Sequence, residues 1–552
     1  MPSTQQHLRQ LYRAARGLAF HARTPGKLHK AALRAEFTGD FEGACALWFE
    51  QRGVLTGAPL AKVEQSLAAC ALRSAREAEA TQRWSAALQS WEYLRAVEPE
   101  SEPAAKGIDR AAQRLAIELD GQFGDAPADD ALALKPPLHR LPQFWKVDVL
   151  VRLGRAQEAR DRLAALESEL GASATSRKLA AQIALHAGQS VQAVAAACEA
   201  IELAQRTARR QSPECPLICA EALCDRGLHN EARDMLFAHM RNRDAPTDRE
   251  FAALFATART RSEVDAIRAF LEPHFAAGHK SRSSARKQHS IALRDLGFSQ
   301  EARDIVRSRL LEEMAEPFGH APRPANGAWS LAAERALLDL KTDLDAGGFA
   351  FFLISGTLLG CMREGRLLGH DKDIDVGIPA DVDMDALRAH LRSTGRFRVR
   401  PLPVQTVVRA IHANGTSIDL FRHWLEDGQM VHQGQKAKWT NTPFALKPQD
   451  FLGATFQVPS DPERYLAENY ADWKTPAKDF DTVVDTPNMT VTDREHLIWY
   501  CYTGLQISHA WGSANRFAKL WALLQRTAPP DDEVASAIAA QLAGPGGQDE
   551  SP

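Results

Sequence analysis

Six times between residues 38 and 302 the chain repeats one short phrase, a small or polar turn followed by a helix start that runs polar-polar-alanine. It reads Thr38-Gly39-Asp40-Phe41-Glu42-Gly43-Ala44, then more loosely Thr81-Gln82-Arg83-Trp84-Ser85-Ala86-Ala87, then Leu153-Gly154-Arg155-Ala156-Gln157-Glu158-Ala159. It returns at Gly188, Gly227 and Gly297, closing on Ala193, Ala232 and Ala302. Gly154 to Gly188 is 34 residues, Gly188 to Gly227 is 39, and Gly227 to Gly297 is 70, close to two periods. Glycine allows the tight turn between two antiparallel helices, and the alanine lets them approach closely. Such helix pairs bury their apolar faces only against their neighbours.

The spacing resembles degenerate tetratricopeptide repeats, whose period is about 34 residues. It implies a multidomain chain that opens with an α-solenoid over residues 36–315. The surface of such an array would hold a protein partner, mediate self-association, or act as a plain spacer, and all three readings stay open. Residues 1–35 form a basic amphipathic segment, with Arg9, Arg13, Arg16, Arg23, Lys27, Lys30 and Arg34 and no acid before Glu36. This helix either packs as the first of the array or lies on an anionic membrane face. Prolines and glycines from Glu316 to Gly327 mark a linker, taken as 316–329.

At 552 residues the chain is too long for one core. Its 67 basic and 70 acidic residues leave a net charge of −3, which gives no footprint for nucleic acid. No apolar run approaches the length of a membrane-spanning helix, and no signal-peptide pattern opens the chain. Cys215, Cys219 and Cys224 lack a usual zinc spacing and read as core residues. A reducing, cytoplasmic setting is expected, with peripheral contact at the inner membrane face as the variant.

The most informative chemistry lies between Phe349 and Ile378. A short apolar run leads into Ser355-Gly356, then a helical stretch at 357–363, then Asp371, Asp373 and Asp375 running into Ile374-Val376-Gly377-Ile378. Side chains alternate along a strand, so Asp373 and Asp375 share one face. Two such carboxylates repel unless a cation lies between them. A third acid, Asp419, stands inside the apolar run Ile418-Asp419-Leu420-Phe421, a costly place for an unpaired charge. The hard oxygen donors point to Mg²⁺ or Mn²⁺ at Asp373, Asp375 and Asp419. The bland alternative is a solvated acidic turn. Helices are expected at 330–346 and 383–393, and strands at 349–354, 374–378, 397–400, 404–412 and 416–421. Asn414-Gly415 turns the last hairpin. The result is a small α/β domain with a mixed sheet over 330–480, then C-terminal helices over 481–542 capping the sheet, and a tail from 543 onward without structure.

At these residues a family resemblance appears. Ser355-Gly356-Thr357-Leu358-Leu359-Gly360, Arg363-Glu364-Gly365, His370-Asp371-Lys372-Asp373-Ile374-Asp375-Val376 and Ile418-Asp419-Leu420-Phe421 resemble the LicD/fukutin-related phosphotransferases of nucleotidyltransferase fold. A later segment through Tyr465, Tyr470, Trp473 and Pro476 is similar to the family's closing motif. The sequence departs at Lys372, where an acid is frequent, and at Ala471, which replaces a glycine. The resemblance implies transfer of a phospho-alcohol, phosphocholine- or phosphoribitol-like, from a CDP-linked donor to a hydroxyl of a cell-surface glycan or lipid-linked sugar. Asp373, Asp375 and Asp419 would be catalytic and hold the metal. Ser355, Gly356, Asp371, Arg363 and Lys372 would bind substrate. Gly356 can equally serve only a turn, and Arg363 a solvated helix end. His370 reads as structural, and Tyr465, Tyr470 and Trp473 as core. Trp439, Lys436 and Lys438 are candidates for an acceptor groove. A nucleotidyltransferase, a DxD glycosyltransferase, or a repeat scaffold with an inactive α/β domain remain the rivals.

Overall fold

The computed structural model describes residues 25–543 apart from 54, 109, 112–113, 115–140, 207–213, 242, 244–245, 277–281, 322–328, 370, 372, 401, 403 and 478–479. The chain divides into two units, Met1–Lys135 and Pro136–Pro552. The first contains α1 (Pro25–Phe37), α2 (Phe41–Arg52), α3 (Gly57–Ala80) and α4 (Trp84–Val97), each packed on the next. Most of the expected basic segment, residues 1–24, lies outside the described residues, and so does the tail from 544.

The second unit opens with more helices: α5 (Leu141–Arg152), α6 (Ala156–Leu170), α7 (Ala174–His186), α8 (Ser190–Arg206), α9 (Glu214–Asp225) and α10 (His229–Met240). They continue as α11 (Asp248–Phe255), α12 (Arg261–Phe270), α13 (Glu272–Phe275), α14 (Arg282–Asp295) and α15 (Ser299–Glu313). Neighbours in sequence pack on one another, and α5 on α7, α7 on α9 and α9 on α11 as well.

The repeated phrase is one local structure used six times. The residue at the glycine position donates its N–H three residues back, and the next residue donates five residues back. Gly39 bonds Glu36 and Asp40 bonds Ala35; Gly297 bonds Arg294 and Phe298 bonds Leu293. This is the double bond of a Schellman helix end, which needs a left-handed residue. Five copies have glycine there, at φ between +66° and +87°, and the loosest copy forces Gln82 to +55°. The alanine that closes each phrase, from Ala44 to Ala302, is fully buried in all six.

After the linker comes α16 (Trp329–Gly347), ended by Gly348 at φ +70°. The α/β part then runs β1 (Phe352–Leu353), α17 (Ser355–Glu364), β2 (Asp373–Ile378), α18 (Met384–Ser393), β3 (Phe397–Arg400), β4 (Val407–His412) and β5 (Ser417–Glu426). It continues through β6 (Gln429–Gln433), β7 (Ala437–Asn441), the hairpin β8 (Leu446–Phe451) and β9 (Ala454–Pro459), α19 (Pro462–Tyr470) and β10 (Met489–Val491). The first strand is shorter than expected, and Ser355 already belongs to the helix, so Ser-Gly is its first turn. The sheet is mixed. β5 runs parallel to β2, antiparallel to β4 along its first half, and antiparallel to β6 along its second. One sheet face carries Ile374, Val376, Ile418, Leu420, Val408 and Ala410, all buried against Leu337, Leu340 and Leu344 of α16 and Leu387 and Leu391 of α18. That alternation leaves the opposite face of the same strands to polar residues.

The closing helices α20 (Arg494–Trp511), α21 (Ala514–Thr527) and α22 (Asp532–Ala543) do not cap the sheet. The expected stripe of Leu497, Ile498, Trp499 and Tyr502 shares a core with Leu254, Leu293, Val306 and Leu310 of the preceding helical segment. Ion pairs Arg303–Glu495 at 3.0 Å and Arg307–Asp531 at 2.6 Å run along the same contact. The apolar stripe was legible, but the surface it meets lies some 200 residues away in sequence. Cys215 and Cys219 are buried core thiols, pushed up to about 11 and about 12 mainly by burial. Among the described residues no helix is long and apolar enough to cross a membrane.

Candidate active site

Sheet register makes the site. Asp375 of β2 stands opposite Asp419 of β5, and Asp419 stands opposite Arg409 of β4. Residues paired across adjacent strands point to the same side, so two carboxylates and a guanidinium form one row on the face away from the core. Asp373, two residues before Asp375, joins them. Carboxylate oxygens of Asp373, Asp375 and Asp419 lie within 4.8 Å of one another. The convergence expected from the sequence is therefore present.

Asp419 is the buried member, 5% exposed. Both its oxygens accept from Arg409, Oδ1 from Nε at 2.7 Å and Oδ2 from a terminal nitrogen at 2.6 Å. Sequence reasoning missed Arg409. Its signal was the same one that exposed Asp419, a lone charge in the apolar run Val407-Val408-Arg409-Ala410-Ile411. Burial pushes the Asp375 carboxyl well above its ordinary range, and Asp373, Asp419 and Asp371 push it further, while Arg409 pulls it back. Three acids with one guanidinium between them leave an excess of negative charge. This donor set is the kind that hard divalent cations take, and each oxygen of Asp419 keeps a second lone pair beyond its bond to Arg409.

Helix α17 brings the upstream motif to the same place. Thr357, 2% exposed, accepts the backbone N–H of Asp375 on its Oγ1 at 2.9 Å, fixing the first turn of α17 to β2. The N-cap residue of α17, Ile354, makes no side-chain cap, and Ser355 takes the left-handed φ of +48°. At Gly356 a Cβ would collide with Oδ2 of Asp371, so glycine here serves a close approach between the helix start and the acidic segment. Arg363 donates to the backbone oxygen of Trp473 at 3.1 Å and to Glu364 at 3.1 Å. It thereby holds the segment after α19 against α17. Lys372 and His370 lie outside the described residues.

The acids border a cleft of about 500 Å³, within the usual size of a ligand site. Ser355, Gly356, Arg363, Asp371, Asp373, Asp375, Arg409 and Asp419 all line it. Its other wall is aromatic: His432, Trp439, Tyr470, Trp473 and Phe480, with Lys436 beside them. Tyr470 and Trp473 thus face the cleft as well as the core, while Tyr465 is buried away from it. Of the residues expected for an acceptor groove, Trp439 and Lys436 line this cleft. Lys438 does not, since it pairs with Glu426 at 2.5 Å. His423, His432 and Trp439 stack in series, with centroids 4.5 Å and 5.2 Å apart. Burial lowers both imidazoles, His423 to about 4, which favours their neutral forms.

Residues 348–461 match the LicD/FKTN/FKRP nucleotidyltransferase domain. The matched LicD segment includes every acid of the site and ends at Asp461, before the closing motif of α19. The chain is also similar to Ribitol-5-phosphate transferase FKTN of Mus musculus, 28% identical over 175 residues that cover 29% of this chain and 36% of that protein. The proteins of the same name from Macaca fascicularis and Homo sapiens are each 27% identical over the same coverage. The chain spans about a third of the length of these curated relatives. The LicD segment supplies β1 to β9, so the row Asp375–Asp419–Arg409 is built entirely within it.

Proposed function

We propose that the chain is a metal-dependent transferase that moves a phospho-alcohol from a CDP-linked donor to a hydroxyl of a glycan or lipid-linked sugar. The observation that carries this reading is the convergence of Asp373, Asp375 and Asp419 beside a cleft with basic and aromatic walls. The relatives, named as ribitol-5-phosphate transferases, support the class of group transferred.

Asp373, Asp375 and Asp419 would hold Mg²⁺ or Mn²⁺. The ion, when bound, supplies charge neutralisation and alignment of the donor phosphates. The residues do the rest. Arg409 holds Asp419 in one orientation through two parallel bonds, and its own charge faces the cleft. Asp419 is then placed to complete the cation site or to take the proton of the acceptor hydroxyl. Arg363 stands on the same wall to meet the charge of the departing CMP. The amides at the start of α17 are placed to offer donors for phosphate oxygens, with Asp371 closing that end against Gly356. In the transfer, the phosphorus–oxygen bond to CMP breaks, a bond to the acceptor oxygen forms, and the hydroxyl proton leaves to a carboxylate.

The test is incubation of the protein with a panel of CDP-alcohols, Mg²⁺ or Mn²⁺ and a glycan acceptor, following CMP. Wild type is expected to release CMP with one donor, and Asp373→Ala to release none. Equal release by both proteins would remove the assignment of the acids. Release of pyrophosphate from a nucleoside triphosphate, with no CMP from any CDP-alcohol, would reassign the site to nucleotidyl transfer.

A further inference from the structure

A second cluster of potential ligands lies far from the cleft, where the helical segment hands over to the linker. Helix α15 ends at Glu313, and the chain then runs through Pro317–Ala321 along the C-terminal end of α20. Gly319 donates its N–H to the oxygen of His509 at 2.9 Å, and Ala321 donates to that of Ala510 at 2.9 Å. Gly319 and Gly512 make this approach close enough that a Cβ on Gly319 would stand 3.3 Å from the Cα of Gly512. The pairing brings one oxygen of Glu313 and one ring nitrogen each of His320 and His509 within 4.8 Å of one another.

Two features separate this cluster from an ordinary surface group. First, His509 is fully buried, and neither of its ring nitrogens makes a hydrogen bond of sound geometry. Phe318 stands edge-on to its ring at 5.2 Å, and Phe517 lies at 6.3 Å. Gln541 approaches the ring as an acceptor without reaching sound hydrogen-bond geometry, while its amide nitrogen donates to the backbone oxygens of Met314 and Glu316. A buried imidazole with two unmatched nitrogens is costly. Second, His320 has its Nδ1 2.9 Å from the oxygen of Pro317, a contact that orients the ring. Its Nε2 faces Oε1 of Glu313 at 3.1 Å, and the buried Oε1 has no hydrogen bond of sound geometry. A backbone oxygen that fixes the far nitrogen is also how ligating histidines are commonly oriented.

We propose that Glu313, His320 and His509 form a transition-metal site, with Zn²⁺ the ion that best fits two imidazoles and a carboxylate. Zinc takes such ligands at about 2.0–2.2 Å, which puts neighbouring donor atoms somewhat over 3 Å apart, close to the Glu313–His320 separation. The imidazoles make it chemically distinct from the all-carboxylate site in the cleft. His320 is exposed, so an ion has a way in and a fourth position for water. The ion ties the end of α15, the linker and the end of α20 into one joint.

The test uses the full chain carrying Asp373→Asn and Asp375→Asn, so that the cleft does not compete for the ion. Metal-stripped protein is titrated with Zn²⁺ by calorimetry, and with Co²⁺ by visible absorption, with and without His320→Ala. One Zn²⁺ per chain is expected, with a Co²⁺ spectrum of nitrogen ligation and a rise in melting temperature on Zn²⁺ addition. Loss of one of three ligands should weaken Zn²⁺ binding at least about a hundredfold. His320 is at the surface, so His320→Ala should melt as its parent does in the absence of metal. Equal stoichiometry and affinity with and without His320, or no Zn²⁺ bound at all, would overturn the site and leave a plain Glu313–His320 ion pair. Neither outcome bears on the chemistry of the cleft.

Discussion

If the acids in the cleft are arranged for a cation, then without one they strain the fold, and Asp375→Asn should stabilise the metal-free protein while abolishing transfer. Two unit charges 4.8 Å apart, the distance within which all these ligand atoms lie, repel by about 3.5 kcal/mol at an effective dielectric of about 20. Asp375 feels both Asp373 and Asp419, and Arg409 offsets part of that. Proton uptake by Asp375 limits the cost further, to about 4 kcal/mol at pH 7 for a carboxyl of ordinary unfolded value. A gain of roughly 2 kcal/mol is expected in EDTA. The sign with pH follows from the raised folded value of Asp375. The native state keeps this proton to higher pH than the unfolded chain does. The contribution is therefore full below about pH 4 and is lost as pH rises through the folded value. The gain from Asp375→Asn should be near zero in acid and grow toward neutrality. Urea unfolding at several pH values, in EDTA and in millimolar Mn²⁺, measures it. With Mn²⁺ the order should invert, because wild type binds the ion and the variant binds it less. A variant less stable than wild type in EDTA at pH 7, or a pair whose difference ignores Mn²⁺, would refute the argument.

Ala471 ends α19 at φ +52° and ψ −106°, a region that costs a non-glycine residue on the order of 1–3 kcal/mol. Ala471→Gly should therefore raise the urea midpoint by an amount worth about 1 kcal/mol, after the larger chain entropy of glycine is subtracted. Gly356→Ala should do the opposite to function: a Cβ there displaces the Asp371 carboxylate, so kcat/KM should fall at least about tenfold in the CMP-release assay. The same change sits in a helix with ordinary φ, so thermal stability should hold or improve slightly. Full activity in Gly356→Ala would show that Asp371 has no placed role.

Periodicities that act over a few residues were readable along the chain. The six helix ends are set by local hydrogen bonds and a left-handed residue, which is why a seven-residue phrase identified them. The alternation through Asp373, Ile374, Asp375 and Val376 placed two acids on one face, and Asn414-Gly415 announced the hairpin that pairs β4 with β5. Arg409 went unread because its partner is set by strand register, and register depends on which apolar face the whole sheet buries. The C-terminal helices went to the wrong neighbour for a similar reason: an apolar stripe states that a partner exists and not which one. The cluster of Glu313, His320 and His509 shows no ligand spacing at all in one dimension. Local backbone preference and hydrophobic alternation are written in consecutive residues, whereas the meeting of charges from distant segments follows only from packing, since the energy that selects it is summed over the whole core.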